Sequence, residues 1–223
     1  MRALELPKGA TCLNIGSSTG EFRSKSQPHI DELLVRPMER AGIRIVHCDM
    51  KAADGVDEVG DLFDPEFRER LRNYRADIMV CSNLLEHLTD PAEFARACGQ
   101  LVRPGGYGLF TVPYSYPYHP DPIDTMLRLS AAELQQLLPA WHVVRAEEIV
   151  AGSYSADLTK SGGGLKRFTK HLVRVLLPFY RPRQWKPLAH RLLWLFRPYR
   201  QSMVLLQKPV DHVDTGAGAD SKG

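Results

Sequence analysis

The sequence holds no run of about 18 apolar residues, so no segment is expected to cross a bilayer as a helix. It has no basic-then-apolar start followed by a small-residue cleavage site, so no secretory leader is expected. Its four cysteines, Cys12, Cys48, Cys81 and Cys98, form no C-x-x-C pair, which argues against a zinc site or a dithiol redox centre. The first three fall inside apolar runs and read as small buried hydrophobes in a reducing compartment, the cytoplasm. No internal repeat is present. Acid is missing from one long stretch: residues 158–210 contain no Asp or Glu but twelve of the chain's 29 Lys and Arg residues. The net charge of +3 therefore conceals a remainder with a balance of −9.

What is present is ordinary globular material, 43% hydrophobic and 25% charged over 223 residues, enough for one domain with an insertion. Residues 10–16 (ATCLNIG) read as a buried strand ending at a glycine turn. Residues 28–42 carry apolar side chains near helical spacing, with Pro37 expected to kink or break the helix. Strands follow at 43–49, 56–60 and 76–82, with helices at 65–74 and 91–102. The turn Arg103-Pro104-Gly105-Gly106 leads into a strand at 107–112. This alternation means a parallel sheet covered on both faces, because each parallel pair needs a crossover. A helix at 130–138, a strand at 141–150 and a last strand at 202–207 complete the pattern. The small polar residues after 209 read as a disordered tail.

In an open parallel sheet a ligand sits beyond the carboxyl ends of the strands, where the strand order reverses. The first strand ends in Asn14-Ile15-Gly16-Ser17-Ser18-Thr19-Gly20, whose glycines let the backbone turn tightly and approach a ligand. Asp49, at the tip of the second strand, is placed to accept from the two hydroxyls of a ribose. Asp61, after the third, can accept from the exocyclic amine of adenine. A nicotinamide enzyme would instead show G-x-G-x-x-G with an acid about twenty residues on, which fits poorly here.

With these segments on the page, the chain resembles the class I S-adenosylmethionine-dependent methyltransferases, in their small-molecule methyltransferase domain group. The resemblance runs from residue 10 to about 150 and includes the final strand. Residues 14–20 match the family's glycine-rich first motif, Asp49 its ribose-binding acid and Asp61 the residue beside adenine. Residues 76–91 (ADIMVCSNLLEHLTDP) resemble the fourth-strand segment and 101–112 (LVRPGGYGLFTV) the turn and fifth strand. The resemblance implies a Rossmann-like, seven-stranded, mostly parallel α/β sheet with helices on both faces and a basic helical insertion before the last strand. It implies S-adenosyl-L-methionine as cofactor, held by Asn14, Gly16, Ser18, Gly20, Asp49, Asp61, Ser82 and Asn83. Two positions depart from the pattern. Asn14 replaces the acid that orients the methionine end, and keeps an acceptor but loses the charge; Ser18 replaces the middle glycine and narrows the loop.

Methyl transfer from a sulfonium needs mainly alignment and, for a hydroxyl nucleophile, a base. The loop after the fifth strand carries Tyr114, Tyr116, Tyr118, His119, Asp121 and Asp124 among four prolines. His119 is the first candidate for the base, with Asp121 or Asp124 to orient it. Alternatively, Asp124 caps a helix and His119 packs in a turn. In related ubiquinone-pathway enzymes a Glu-x-x-Glu-His arrangement is associated with a divalent ion; here Asn83 stands at its first position, and no metal is expected.

Residues 158–200 form the basic insertion between the main domain (1–157) and the last strand (201–209), ahead of the tail (210–223). On residues 165–177 the apolar Leu165, Phe168, Leu172, Val175 and Leu176 share one helical face, and Lys166, Arg167, Lys170 and Arg174 lie opposite. Trp194 and Phe196 stand near Arg197 and Arg200. Three occupants suit this segment: an anionic membrane surface with a lipid or lipid-linked acceptor, the domain itself as a lid or oligomer contact, or RNA. The apolar stripe argues against nucleic acid. The expected function is O-methylation of a small or lipid-linked acceptor in the cytoplasm, peripheral to a membrane. The alternatives are a non-catalytic membrane adaptor with a vestigial nucleoside pocket and an RNA methyltransferase.

Overall fold

A computed structural model of the chain describes residues 4, 6–118, 123–154, 164–176, 193–195 and 197–210. Seven strands form one sheet: β1 (Thr11–Ile15), β2 (Arg44–Asp49), β3 (Glu58–Val59), β4 (Ala76–Ser82), β5 (Val102–Ser115), β6 (His142–Ser153) and β7 (Pro198–Gln207). Their order is β3-β2-β1-β4-β5-β7-β6. The first five run parallel, and β7 lies antiparallel between β5 and β6. Strand order reverses between β1 and β4, the place where such sheets open a crevice.

Side-chain alternation explains the layers. Leu13, Ile15, Met79 and Cys81 face one side of the sheet, packed with Phe67, Leu71, Phe94 and Cys98. Cys12, Ile78 and Val80 face the other, packed against Met38. Helices α3 (Pro65–Arg72) and α4 (Pro91–Leu101) cover the first side, each started by proline and capped by Asp64 or Asp90. All four cysteines are buried, as their apolar surroundings imply, and burial pushes the Cys12 and Cys48 thiols up to about 12.

The helix around Pro37 takes an unexpected form. The helical run begins at Phe22 and alternates wide turns (Phe22–Ser26, Asp31–Val35) with α1 (Pro28–Ile30) and α2 (Arg36–Arg40). The Arg36 N–H reaches back five residues to the Asp31 carbonyl just before Pro37, which has no N–H to give. A widened turn absorbs the proline instead of a break. Four strands depart most from their sequence estimates: β3 is only two residues, β5 begins at Val102 and takes in the expected turn at 103–106, β6 runs on to Ser153, and β7 begins at Pro198. Ser130 and Glu133 form a reciprocal cap on α5 (Ala131–Gln135), which is shorter than its sequence pattern.

Candidate active site

The first motif folds as a loop stitched to its neighbours by backbone. Gly16 N–H and Ser17 N–H both donate to the Cys48 carbonyl, at 2.9 and 3.0 Å, fastening the β1 tip to β2. Gly16 adopts φ +69°, and a Cβ there would meet the Leu84 side chain at 2.7 Å. Ser18, in the place of the family's middle glycine, also takes positive φ, at 55°. Its N–H donates to Asp49 Oδ2 at 2.8 Å, and Lys51 N–H donates to Asp49 Oδ1 at 3.1 Å. Asp49 therefore sits at the tip of β2, turned toward the glycine loop rather than into the core. Two donors leave part of its acceptor capacity for a ligand.

Arg23 was not singled out by sequence pattern, and it is the clasp of this loop. Its guanidinium is buried and donates to the Ser17, Ser18 and Gly55 carbonyls at 3.0, 2.7 and 2.6 Å. Gly20 N–H donates to the Asp54 carbonyl at 2.9 Å, and a Cβ on Gly55 would lie 2.8 Å from the Gly20 Cα. The only sequence signal was an arginine three residues past the motif, with nothing to mark its burial.

Asn14 is buried, and its amide donates to His47 Nδ1 at 3.1 Å. Burial, helped by the Arg23 charge, pushes His47 down to about 4, so its neutral ring accepts there. That bond uses the Asn14 amide N–H, and its carbonyl oxygen keeps the capacity to accept. Asp61 follows β3 and holds the turn into α3 by accepting from Phe63 N–H at 2.9 Å. Ser82 Oγ meets Thr111 Oγ1 at 2.8 Å, and Asn83, at φ 50°, pairs with Thr111 through backbone and side chain. These two positions knit β4 to β5.

Beyond β4, a short turn (Leu85–His87) buries the Glu86 carboxyl. Neither of its oxygens has a hydrogen-bond partner among the described residues. Burial pushes it up to about 7, and the Asp124 charge adds to the rise, against the pull of His87 and Arg128. His87 Nδ1 pairs with the Ile123 carbonyl, so that nitrogen carries the proton, and its Nε2 lies 3.8 Å from Glu86 Oε1. Thr125 donates twice to the Glu86 carbonyl oxygen, from N–H at 2.9 Å and Oγ1 at 2.8 Å.

His119 and Asp121 lie outside the described residues. The chain on their C-terminal side is nevertheless fixed at Ile123 and Thr125 on the β4 tip. Asp124 caps no helix. Its buried carboxylate grips Arg128 at 3.0 and 2.7 Å and takes Met126 N–H at 2.8 Å, a local clasp that keeps the loop folded back. For Trp194 the sequence leaves both a membrane surface and the domain itself open, and it packs on the domain. It is buried with Tyr154 and Tyr199, its ring 5.9 Å from that of Tyr199, because the β7 strand begins early enough to offer a packing partner.

The arrangement fits S-adenosylmethionine: an acceptor pair at Asp49, an acid after β3, and a turn at Gly16 whose positive φ favours glycine. Comparison with known proteins agrees. A family model described as a methyltransferase domain matches residues 1–157. Ubiquinone biosynthesis O-methyltransferases of Bordetella avium and Alkalilimnicola ehrlichii are each 33% identical, over 92 and 112 residues. Those matches cover 39% and 46% of this chain, and the chain spans only 36% and 38% of the two relatives. Among solved structures, coclaurine N-methyltransferase superposes with a TM-score of 0.56 at 14% identity, covering 93% of this chain and 68% of that one. The cyclase SpnF superposes at 0.54, also at 14% identity, covering 92% and 76%. One fold thus carries an N-methyltransferase and a cyclase, and the reaction is not fixed by the fold. By the match over residues 1–157 and the strand order, the chain belongs to the methyltransferase-domain family of class I S-adenosylmethionine-dependent enzymes.

Proposed function

We propose that this protein moves the sulfonium methyl of S-adenosylmethionine onto an oxygen of a small or lipid-linked acceptor. The cofactor supplies an activated methyl, so the chain's own residues need only bind, align and take a proton. Asp49 accepts from the ribose hydroxyls and Asp61 from the adenine amine. Gly16 and Gly20 let the backbone approach, Ser18 shapes the loop, and Asn14 presents its carbonyl to the methionine end. Ser82 and Asn83 hold the β4 wall of the cleft. His119 serves as base toward the acceptor hydroxyl, with Asp121 and Asp124 on the same loop.

The observation that carries the oxygen acceptor is Glu86. A buried carboxyl raised to about 7, beside His87 and with Thr125 bonded to its own backbone carbonyl, can take up a proton near neutrality. An amine acceptor arriving neutral would place less demand on such a store. The names of the two relatives point the same way. Calorimetry with S-adenosylmethionine, followed by a methyl-transfer assay on catechol-type and amine acceptors, tests this. Binding with transfer to oxygen is expected; no heat, binding without turnover, or transfer to amines alone would overturn it.

The same reading sets the enzyme against an anionic membrane. No helix among the described residues is long and apolar enough to cross one. Helix α6 (Gly164–Leu176) instead exposes Lys166, Lys170 and Arg174 together with Leu172, Val173 and Leu176. Exposed cations beside exposed aliphatics suit the headgroup region, where each basic residue adds roughly 1 kcal/mol. Flotation with anionic but not neutral liposomes is the expected outcome.

A further inference from the structure

The two edges of the sheet are unequal. At one end β3 offers two residues; at the other, β6 (His142–Ser153) is bonded, among the strands of the described residues, to β7 alone. Long open edges invite another strand, and proteins commonly blunt them with lysine or proline. The β6 sequence contains neither. Its residues are exposed nearly throughout, including Val143, Val144, Ile149 and Val150, whereas Ser202, Val204 and Leu206 of the adjacent β7 are buried.

The order of charges along β6 selects a partner. Arg145 and Glu147 project from the same face, paired in register with Leu205 and Met203, and form an ion pair at 3.0 Å. Opposed residues of an antiparallel pair share a face, so a two-fold axis normal to the sheet must pass through a residue. An axis at Arg145 or Glu147 would set a like charge against itself. An axis at Ala146 sets Arg145 opposite Glu147 of the second copy, twice over. It also sets Val143 opposite Ile149 of that copy at both ends, with Glu148 opposite Val144 and so against no like charge, and bulges near Val144 and Ala151 allow the strand to bend.

We propose that a second copy of this chain pairs with the open edge of β6, antiparallel and centred on Ala146, giving a two-fold dimer with a sheet continuous across both subunits. The backbone ladder supplies most of the affinity, as in other strand additions. The Arg145–Glu147 alternation fixes the register, and four alternating charges replace the single ion pair of one subunit. The interface is isologous, so one substitution acts twice.

Sedimentation equilibrium of the full chain tests this, with circular dichroism to verify folding of each variant. Wild type is expected to be dimeric, weakening as salt rises. Arg145→Glu faces Glu147 of the second copy at both symmetric positions and is expected to raise the dissociation constant at least about tenfold. Adding Glu147→Arg to it restores opposite charges and is expected to return the constant to within about threefold of wild type. A wild-type chain that stays monomeric up to about 100 µM, below the affinity of ordinary specific interfaces, would overturn the proposal. So would a dimer indifferent to Arg145→Glu, or one that the charge swap fails to recover.

Discussion

The two halves of the cleft treat buried polar groups in opposite ways. Under β1 and β2 the charges described above are matched: Asp49 takes two backbone N–H groups and Arg23 gives to three carbonyls. Past β4, Glu86 is sealed in with neither oxygen bonded among the described residues. A satisfied network holds one shape, whereas an unsatisfied carboxyl stays ready to exchange a proton. The first half is built to present a fixed cradle and the second to change charge.

If that contrast is right, the largest effect belongs to Asp49. Asp49→Ala removes both the proposed ribose acceptor and the anchor of Ser18 N–H, and calorimetry should find S-adenosylmethionine binding weakened by roughly a hundredfold, as for loss of charge-assisted hydrogen bonds. Binding within about threefold of wild type would mean that the sugar is gripped elsewhere.

Arg23→Met comes next. It keeps the apolar stem but strands three carbonyls, so chemical denaturation should register a loss on the order of 2–3 kcal/mol. The cofactor constant should rise with it, because Ser17 and Ser18 are no longer held. Stability lost with cofactor affinity unchanged would make Arg23 a structural strut with no part in the cradle.

How much of this was legible beforehand follows the same divide. The cradle obeys local rules: a glycine turn at Gly16, acids at the tips of β2 and β3, and alternation that fixes which strand faces are buried. The placement of its motif residues therefore reads from the sequence: Gly16 follows the end of β1, and Asp49 ends β2. Arg23 did not read, because three carbonyls from two loops meet only in three dimensions. The orphaned state of Glu86 is likewise a tertiary fact: a Leu-Glu-His string looks the same whether its carboxyl is solvated or sealed. The alternative for Asp124, a helix cap, fails because Arg128, four residues on, takes the same oxygens. The sequence leaves Trp194 open between a surface and the domain because its burial depends on where β7 begins.

Glu86→Gln offers a smaller but signed test. The ordinary carboxyl value is 4.5 and the folded one about 7, so between these pH values the native state keeps a proton that the unfolded chain has lost. Native stability should thus fall as pH rises through that window. The variant cannot ionise and should lack this slope, exceeding wild type by on the order of 2 kcal/mol at pH 8 and matching it near pH 4. Parallel curves would show that the carboxylate is compensated inside the fold, and the two halves of the cleft would then be alike.

The smallest effect on stability carries the comparison into the segment between β6 and β7. There Trp194 packs inside while Leu172 and Leu176 lie exposed on α6, at 37% and 67%. An exposed aliphatic contributes little to folding, so Leu172→Ser with Leu176→Ser should move stability by less than about 0.5 kcal/mol. The same pair should nonetheless lower flotation with anionic vesicles severalfold, since burying those side chains in the headgroup region is their only large gain in apolar contact. Trp194→Ala should do the reverse, costing stability through its lost aromatic packing while leaving flotation of the folded fraction intact. If flotation instead follows Trp194 and ignores the two leucines, the membrane contact does not run through α6, and its exposed stripe serves another surface.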